Sequence, residues 1–129
     1  MSKIQKFEDL EAWKIASEVT KEIYKVSKND LFIRDYGLRN QICRATVSVM
    51  SNIAEGFERE GNKEFINFLS IAKGSSGEVR SQLYVALDQK YISESEFNFI
   101  CAKITEISRV ISGLIRYLKQ SDLKGSKFK

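Results

Sequence analysis

The chain has 129 residues, no proline, no histidine, seven glycines and two cysteines, with a formal net charge of +4. A chain of this length makes one domain that can bury a single core without disulfide or metal staples. Without proline, long unbroken helices are expected. Without histidine, the Ser-His-Asp and Cys-His triads and the Glu-x-x-His motif of di-iron bundles are excluded.

Hydrophobic residues at 43% and charged residues at 29% fit an ordinary soluble domain rather than a disordered or membrane chain. The opening MSKIQKFEDLEAWK lacks the apolar core of a signal peptide. No stretch approaches the ~20 apolar residues that span a bilayer, so a cytoplasmic location is expected. Cys43 and Cys101 stand alone in different segments. They read as reduced, buried thiols, with no metal site and no cofactor.

Four helical segments follow in chain order. The first is expected over 8–28. Ala12, Ile15, Val19, Ile23 and Val26 recur every three or four residues as one apolar stripe. Lys14, Lys21, Lys25 and Lys28 share another face, with Glu18 and Glu22 placed to pair with lysines three or four positions away. Trp13, Thr20 and Tyr24 fall on the flank, and Asn29-Asp30 signals the end.

The second segment is expected over 36–55. Leu38, Ile42, Ala45, Val49 and Ile53 form its core stripe, and Cys43, Val47, Met50 and Ala54 add a second apolar strip beside it. The combined width exceeds that of an ordinary surface helix. A polar row of Gln41, Arg44, Ser48, Asn52 and Glu55 lies on the other flank, and Gly56 sits where a left-handed C-cap is expected. Arg44, Ser48, Asn52 and Glu55 form the most site-like cluster. They read either as a hydrogen-bonded seam against a neighbouring helix or subunit, or as a polar binding groove.

The third segment is expected over 62–89, with Asn62 as N-cap and Phe65, Phe68, Leu69, Ala72, Val79, Leu83 and Ala86 as its core face. Ser70, Gly74, Gly77 and Ser81 make a small-residue row on a different face. Such a row lets two helix backbones approach closely. GSSGEVRS has neither the lysine nor the spacing of a P-loop.

The fourth segment is expected over 93–119 and opens with a Ser93/Glu96 capping box. Phe97, Ile104, Ile111 and Leu118 are spaced by seven, with Ile100, Ile107 and Leu114 three residues after the first three. This is the a/d pattern of left-handed bundle packing. Phe99, Val110 and Tyr117 lie on the opposite side. Residues 120–129 read as a flexible tail carrying Lys124, Lys127 and Lys129.

With short connections, these segments predict an all-α fold: a left-handed, antiparallel, up-down-up-down four-helix bundle over residues 1–119.

The runs FEDLEAWKIA, GLRNQICRATVSVMSNIAEGFER, NKEFINFLSIAKGSSGEV and LDQKYIS resemble the family of small four-helix-bundle proteins encoded within intervening sequences of bacterial 23S ribosomal RNA genes. The most specific elements are Asn52-Ile53-Ala54-Glu55-Gly56, Glu64-Phe65 and Ala72-x-Gly74-Ser75, within a resemblance over about residues 7–118. The chain is also similar to the accessory protein of diversity-generating retroelements. These resemblances imply a cytosolic protein that closes into a homopentameric ring, and the second implies work alongside a reverse transcriptase and nucleic acid.

The ring agrees with the apolar and small residues left over after the core is filled. Cys43, Val47, Met50, Ala54, Gly74, Gly77, Phe99, Val110 and Tyr117 are the interface candidates, since heterologous contacts close into rings. Packing of the same strips within one protomer is the alternative. The expected function is non-enzymatic binding of structured RNA or an RNA–DNA hybrid by a basic homo-oligomer. The candidate contacts are Lys14, Lys21, Lys25, Lys28, Arg39, Arg44, Lys124 and Lys127, each of which also reads as part of a solvated face. A protein-interaction scaffold, serving a polymerase such as a reverse transcriptase, is the alternative function.

Overall fold

The structure, a computed structural model, describes residues 4–123. Its regular elements across them are helices alone, with α1 at Glu11–Val26, α2 at Tyr36–Glu58, α3 at Asn62–Asp88 and α4 at Glu94–Leu123. Single 3-10 turns at Phe7–Asp9 and Phe32–Arg34 precede α1 and α2.

Contacting pairs fix the directions. Gln41 meets Gln82 and Ser48 meets Ser75, so progress along α2 runs backward along α3. Asn62 meets Leu118 and Ser76 meets Ser108, which sets α3 against α4 in the same way. α1 packs on both α2 and α4, and the order around the bundle is α1-α2-α3-α4. The antiparallel four-helix bundle is therefore the observed fold.

The apolar stripes fill the centre. Ala12, Ile15, Val19, Ile23 and Val26 of α1 are buried, as are Ile42, Ala45, Val49 and Ile53 of α2. On α4 the heptad positions Phe97, Ile100, Ile104, Ile107, Ile111 and Leu118 are buried, and Leu114 packs half-buried against them. Each fully buried Ile or Leu contributes about 1.5–3 kcal/mol of apolar transfer energy, so the seam on α4 is a principal source of stability.

One end of the bundle is tied by polar contacts. The Asp35 carboxylate caps α2 by accepting from the Leu38 N–H at 3.0 Å, and it also accepts from the Tyr91 hydroxyl at 2.9 Å. Tyr91 stacks on the buried Phe32 ring at 5.3 Å. Asn29 donates to the Tyr91 carbonyl at 3.1 Å and to Glu96 at 3.3 Å. These bonds join the α1–α2 connection to the α3–α4 connection. Glu96 also completes the Ser93 capping box, accepting from the Ser93 N–H at 2.8 Å while Ser93 Oγ accepts from the Glu96 N–H at 3.0 Å.

Several expectations are corrected. α1 begins at Glu11, not Glu8, because Leu10 is extended and buries its side chain. α2 runs through Gly56 to Glu58, so Gly56 is a helix-interior residue rather than a left-handed cap. A Cβ there would lie 2.7 Å from Phe68 Cβ, and glycine is what the α2–α3 contact requires. Asn62 does not cap α3. Gly61, at φ 97°, holds that place, and Asn62 is buried with its amide donating to the Leu118 carbonyl at 3.2 Å. α4 continues past residue 119 to Leu123, which moves the end of the bundle beyond the expected tail boundary. Lys124 and Lys127 lie outside the described residues.

Candidate functional site

The polar row on α2 divides in two. Ser48 and Asn52 form a seam: Ser48 Oγ meets Ser75 Oγ of α3 at 3.0 Å, and the Asn52 amide donates to the Ser48 carbonyl at 2.8 Å. Arg44 and Glu55 face outward and are not part of it. Glu55 pairs with Arg59 at 2.8 Å, and Arg59 reaches Glu64 at 3.4 Å while its guanidinium lies over the Phe68 ring at 5.0 Å. The hydrogen bond that Arg59 donates to Glu55 raises the pKa of Arg59 above its ordinary value. This cluster is exposed and ties the end of α2 to the start of α3.

The second apolar strip of α2 turns toward α1. Cys43 and Met50 pack half-buried against the core, and Met50 Sδ accepts from the Thr20 hydroxyl at 3.2 Å. Ala54 is half-buried. Val47 is exposed and lines an open groove with Tyr24, Asn40, Cys43, Arg44 and Ser48. On α4, Phe99 and Tyr117 are 52% and 55% exposed, while Val110 packs half-buried on the core. Gly74 and Gly77 are exposed, and a Cβ at either would meet no atom within 4 Å. The close approach that the small-residue row permits is therefore not used inside the protomer. Ile71 and Val85, also on α3, are exposed too. They fall between the core stripe and the small-residue row, where periodicity alone does not single them out.

Lys14, Lys21 and Lys25 line the outer face of α1 and are exposed, as is Lys28, which lies just past the end of the helix rather than on it. Glu18 does not pair with a neighbouring lysine on α1. It crosses to Lys103 of α4 at 3.0 Å, and Lys103 lies over the Phe99 ring at 5.2 Å. Arg39 is half-buried, with Nε shielded from solvent and unpartnered, so it is a poorer surface cation than expected.

A second basic surface went unread in the sequence. The groove between α3 and α4 is lined by Ser70, Lys73, Gly74, Ser112, Ile115 and Lys119. Burial pushes the Cys101 thiol of α4 above its ordinary pKa, and the charge of Arg80 on α3 offsets part of that rise. The signal was present as cations seven apart on α3, Lys73 and Arg80, and as Arg109, Arg116 and Lys119 on α4. It is split between two helices that are distant in sequence.

Among the described residues, no group of His, Cys, Asp and Glu could hold a metal ion, and no helix is long and apolar enough to cross a membrane. Cys43 and Cys101 are free thiols on different helices.

Together these features define a four-helix bundle with exposed cations on its outer faces and polar seams, such as Ser48–Ser75, between its helices. The chain belongs to the 23S rRNA-intervening sequence protein family, which it matches over residues 8–113. It is similar in structure to a protein of unknown function from the S23 ribosomal protein family of Bacteroides thetaiotaomicron VPI-5482. The TM-score is 0.74 at 25% identity, covering 81% of this chain and 97% of that one. No curated protein matches the chain.

Proposed function

We propose that this protein is a non-enzymatic homo-oligomer that binds nucleic acid through exposed basic faces. The observation that carries the proposal is the state of the cations. Among the described residues, Arg59 and Lys103 are the only lysines and arginines in ion pairs. The other described basic side chains have no acidic partner within 4 Å on the protomer, and the whole chain carries a net charge of +4. Unpaired surface cations are what a polyanion recruits, by releasing its condensed counterions. Self-association is supported by the exposed Phe99, Tyr117, Ile71 and Val85. A pentameric ring is what the resemblance implies, and repetition of one weak basic face in it would add avidity.

The test is a salt titration of binding to a labelled structured RNA and to an RNA–DNA hybrid. The expected result is an affinity that falls steeply and linearly in log–log form as salt rises. An affinity unchanged between low and moderate salt contradicts the proposal.

The second reading is a protein-interaction scaffold, an accessory subunit of a nucleic-acid enzyme such as a reverse transcriptase. It is favoured by the exposed Gly74 and Gly77, beside which a partner helix could pack closely. Co-purification of one specific protein with nucleic acid absent is the result that selects it.

A further inference from the structure

The geometry points to the groove between α3 and α4 as the track that holds the phosphodiester backbone of a nucleic acid, in preference to the lysine row on α1. This rests on the nucleic-acid reading above and adds the place at which the backbone is gripped.

The argument begins with spacing. On α3, Ser70, Lys73, Gly77, Arg80 and Tyr84 follow one another at steps of three and four, so they share one side of the helix. On α4, Thr105, Arg109, Ser112, Arg116 and Lys119 do the same. Ser70, Lys73, Ser112 and Lys119 line a common groove, which shows that these two sides face one another across it. Arg80 lies seven residues, about two turns, beyond Lys73 and so continues the same side of α3.

Neither row contains a carboxylate. The acidic residues of α3 are Glu64, Glu78 and Asp88, and those of α4 within the rows' span reduce to Glu106, all outside the two rows. The five cations Lys73, Arg80, Arg109, Arg116 and Lys119 are exposed, and none is ion-paired among the described residues. The α1 row differs in this respect, because Glu11, Glu18 and Glu22 share that helix's surface with Lys14, Lys21 and Lys25.

The dimensions also suit a backbone. Lys73 and Arg80 are separated by about 10 Å along α3, and Arg109 and Lys119 by about 15 Å along α4, at the ordinary rise of an α-helix. Consecutive cations on such a track can serve successive phosphates. Between them stand serine, threonine and glycine, and a Cβ added at Gly74 or Gly77 would touch nothing. A backbone can therefore settle close to the helices. Tyr84, 50% exposed at the end of the α3 row and packed edge-on against Phe97 at 4.8 Å, offers a free ring edge and face beside the track, where an unpaired base can stack.

The test compares two variants of the full chain for binding to a short fluorescein-labelled single-stranded RNA and to a duplex DNA. Light scattering and circular dichroism are recorded on each protein. One variant carries Arg80→Gln, Arg109→Gln and Arg116→Gln. The other carries Lys14→Gln, Lys21→Gln, Lys25→Gln and Lys28→Gln. Glutamine is a good helix former and these positions are exposed, so the fold is retained. The expected result is a loss of at least about tenfold in affinity for the α3–α4 variant, with a slope of log K against log salt shallower by about two. The α1 variant should lose less than about threefold by the same measure.

If the α1 variant loses binding and the α3–α4 variant keeps it, the track assignment is overturned while the nucleic-acid reading stands. If the unsubstituted protein binds neither probe, both fall. If the α3–α4 variant changes oligomeric mass, the row is a contact between copies and the assignment is overturned.

Discussion

Gly56 of α2 lies against Phe68 of α3 so closely that a Cβ on Gly56 would stand 2.7 Å from the Phe68 Cβ, and 3.0 Å from Cδ1 of Phe65. Gly56 is buried and helical. Alanine there would gain up to ~1 kcal/mol of helix propensity but would push two helices apart at a contact with the buried Phe65 and the half-buried Phe68. Overpacking of this kind costs about 1–3 kcal/mol. Gly56→Ala is therefore expected to lower the urea midpoint at unchanged m-value.

Gly74 and Gly77 are expected to behave in the opposite way. They are mid-helix, exposed and surrounded by open space. Gly74→Ala and Gly77→Ala should each stabilise the protomer by up to ~1 kcal/mol, read as a rise in thermal midpoint at low protein concentration. A fall would show that their surroundings are occupied by another copy.

The Tyr91–Asp35 hydrogen bond gives a pH dependence with a definite sign. The bond to Asp35, then burial, then the nearby carboxylate charge raise the Tyr91 pKa above its ordinary 10.0. A folded-state pKa raised above the unfolded value means that this contribution is complete below about pH 10. It is lost as pH rises through the higher folded value. Tyr91→Phe should lower stability at neutral pH and make its decline above pH ~10 shallower than in the unsubstituted protein, as followed by urea midpoints across that range. Asp35→Ala should cost more at neutral pH, about 1 kcal/mol from the helix cap alone.

Phe99 and Tyr117 are half-exposed aromatics on α4. If they serve the homo-oligomer, Phe99→Asp with Tyr117→Asp should convert it to monomer on a sizing column while leaving the helical signal intact. Neither side chain is part of the central core, so a retained fold with retained mass would remove them from the interface.

The core was legible in the sequence because burial on a helix repeats with the helix period. Every α1 stripe residue, and all of the α4 heptad positions except the half-buried Leu114, are buried. What escaped the sequence depends on the neighbour across a helix pair. A glycine near the end of a periodic segment reads as a cap, and only the placement of Phe68 shows that Gly56 is a packing residue. Glu18 has lysines at helical spacing on its own helix, yet it pairs with Lys103, 85 residues away. Asn62 has the composition of a cap and instead satisfies the Leu118 carbonyl from within the core. The α3–α4 cations were overlooked for the same reason, since each helix supplies only part of the row.

The most direct measurement is light scattering on a sizing column, with absorbance at 260 and 280 nm recorded across the peak before and after addition of a structured RNA. The account predicts a single species with the mass of a homopentamer of 14.8 kDa protomers, which gains 260 nm absorbance when RNA is added and releases it at high salt. A monomer whose absorbance ratio is unchanged by RNA would contradict it.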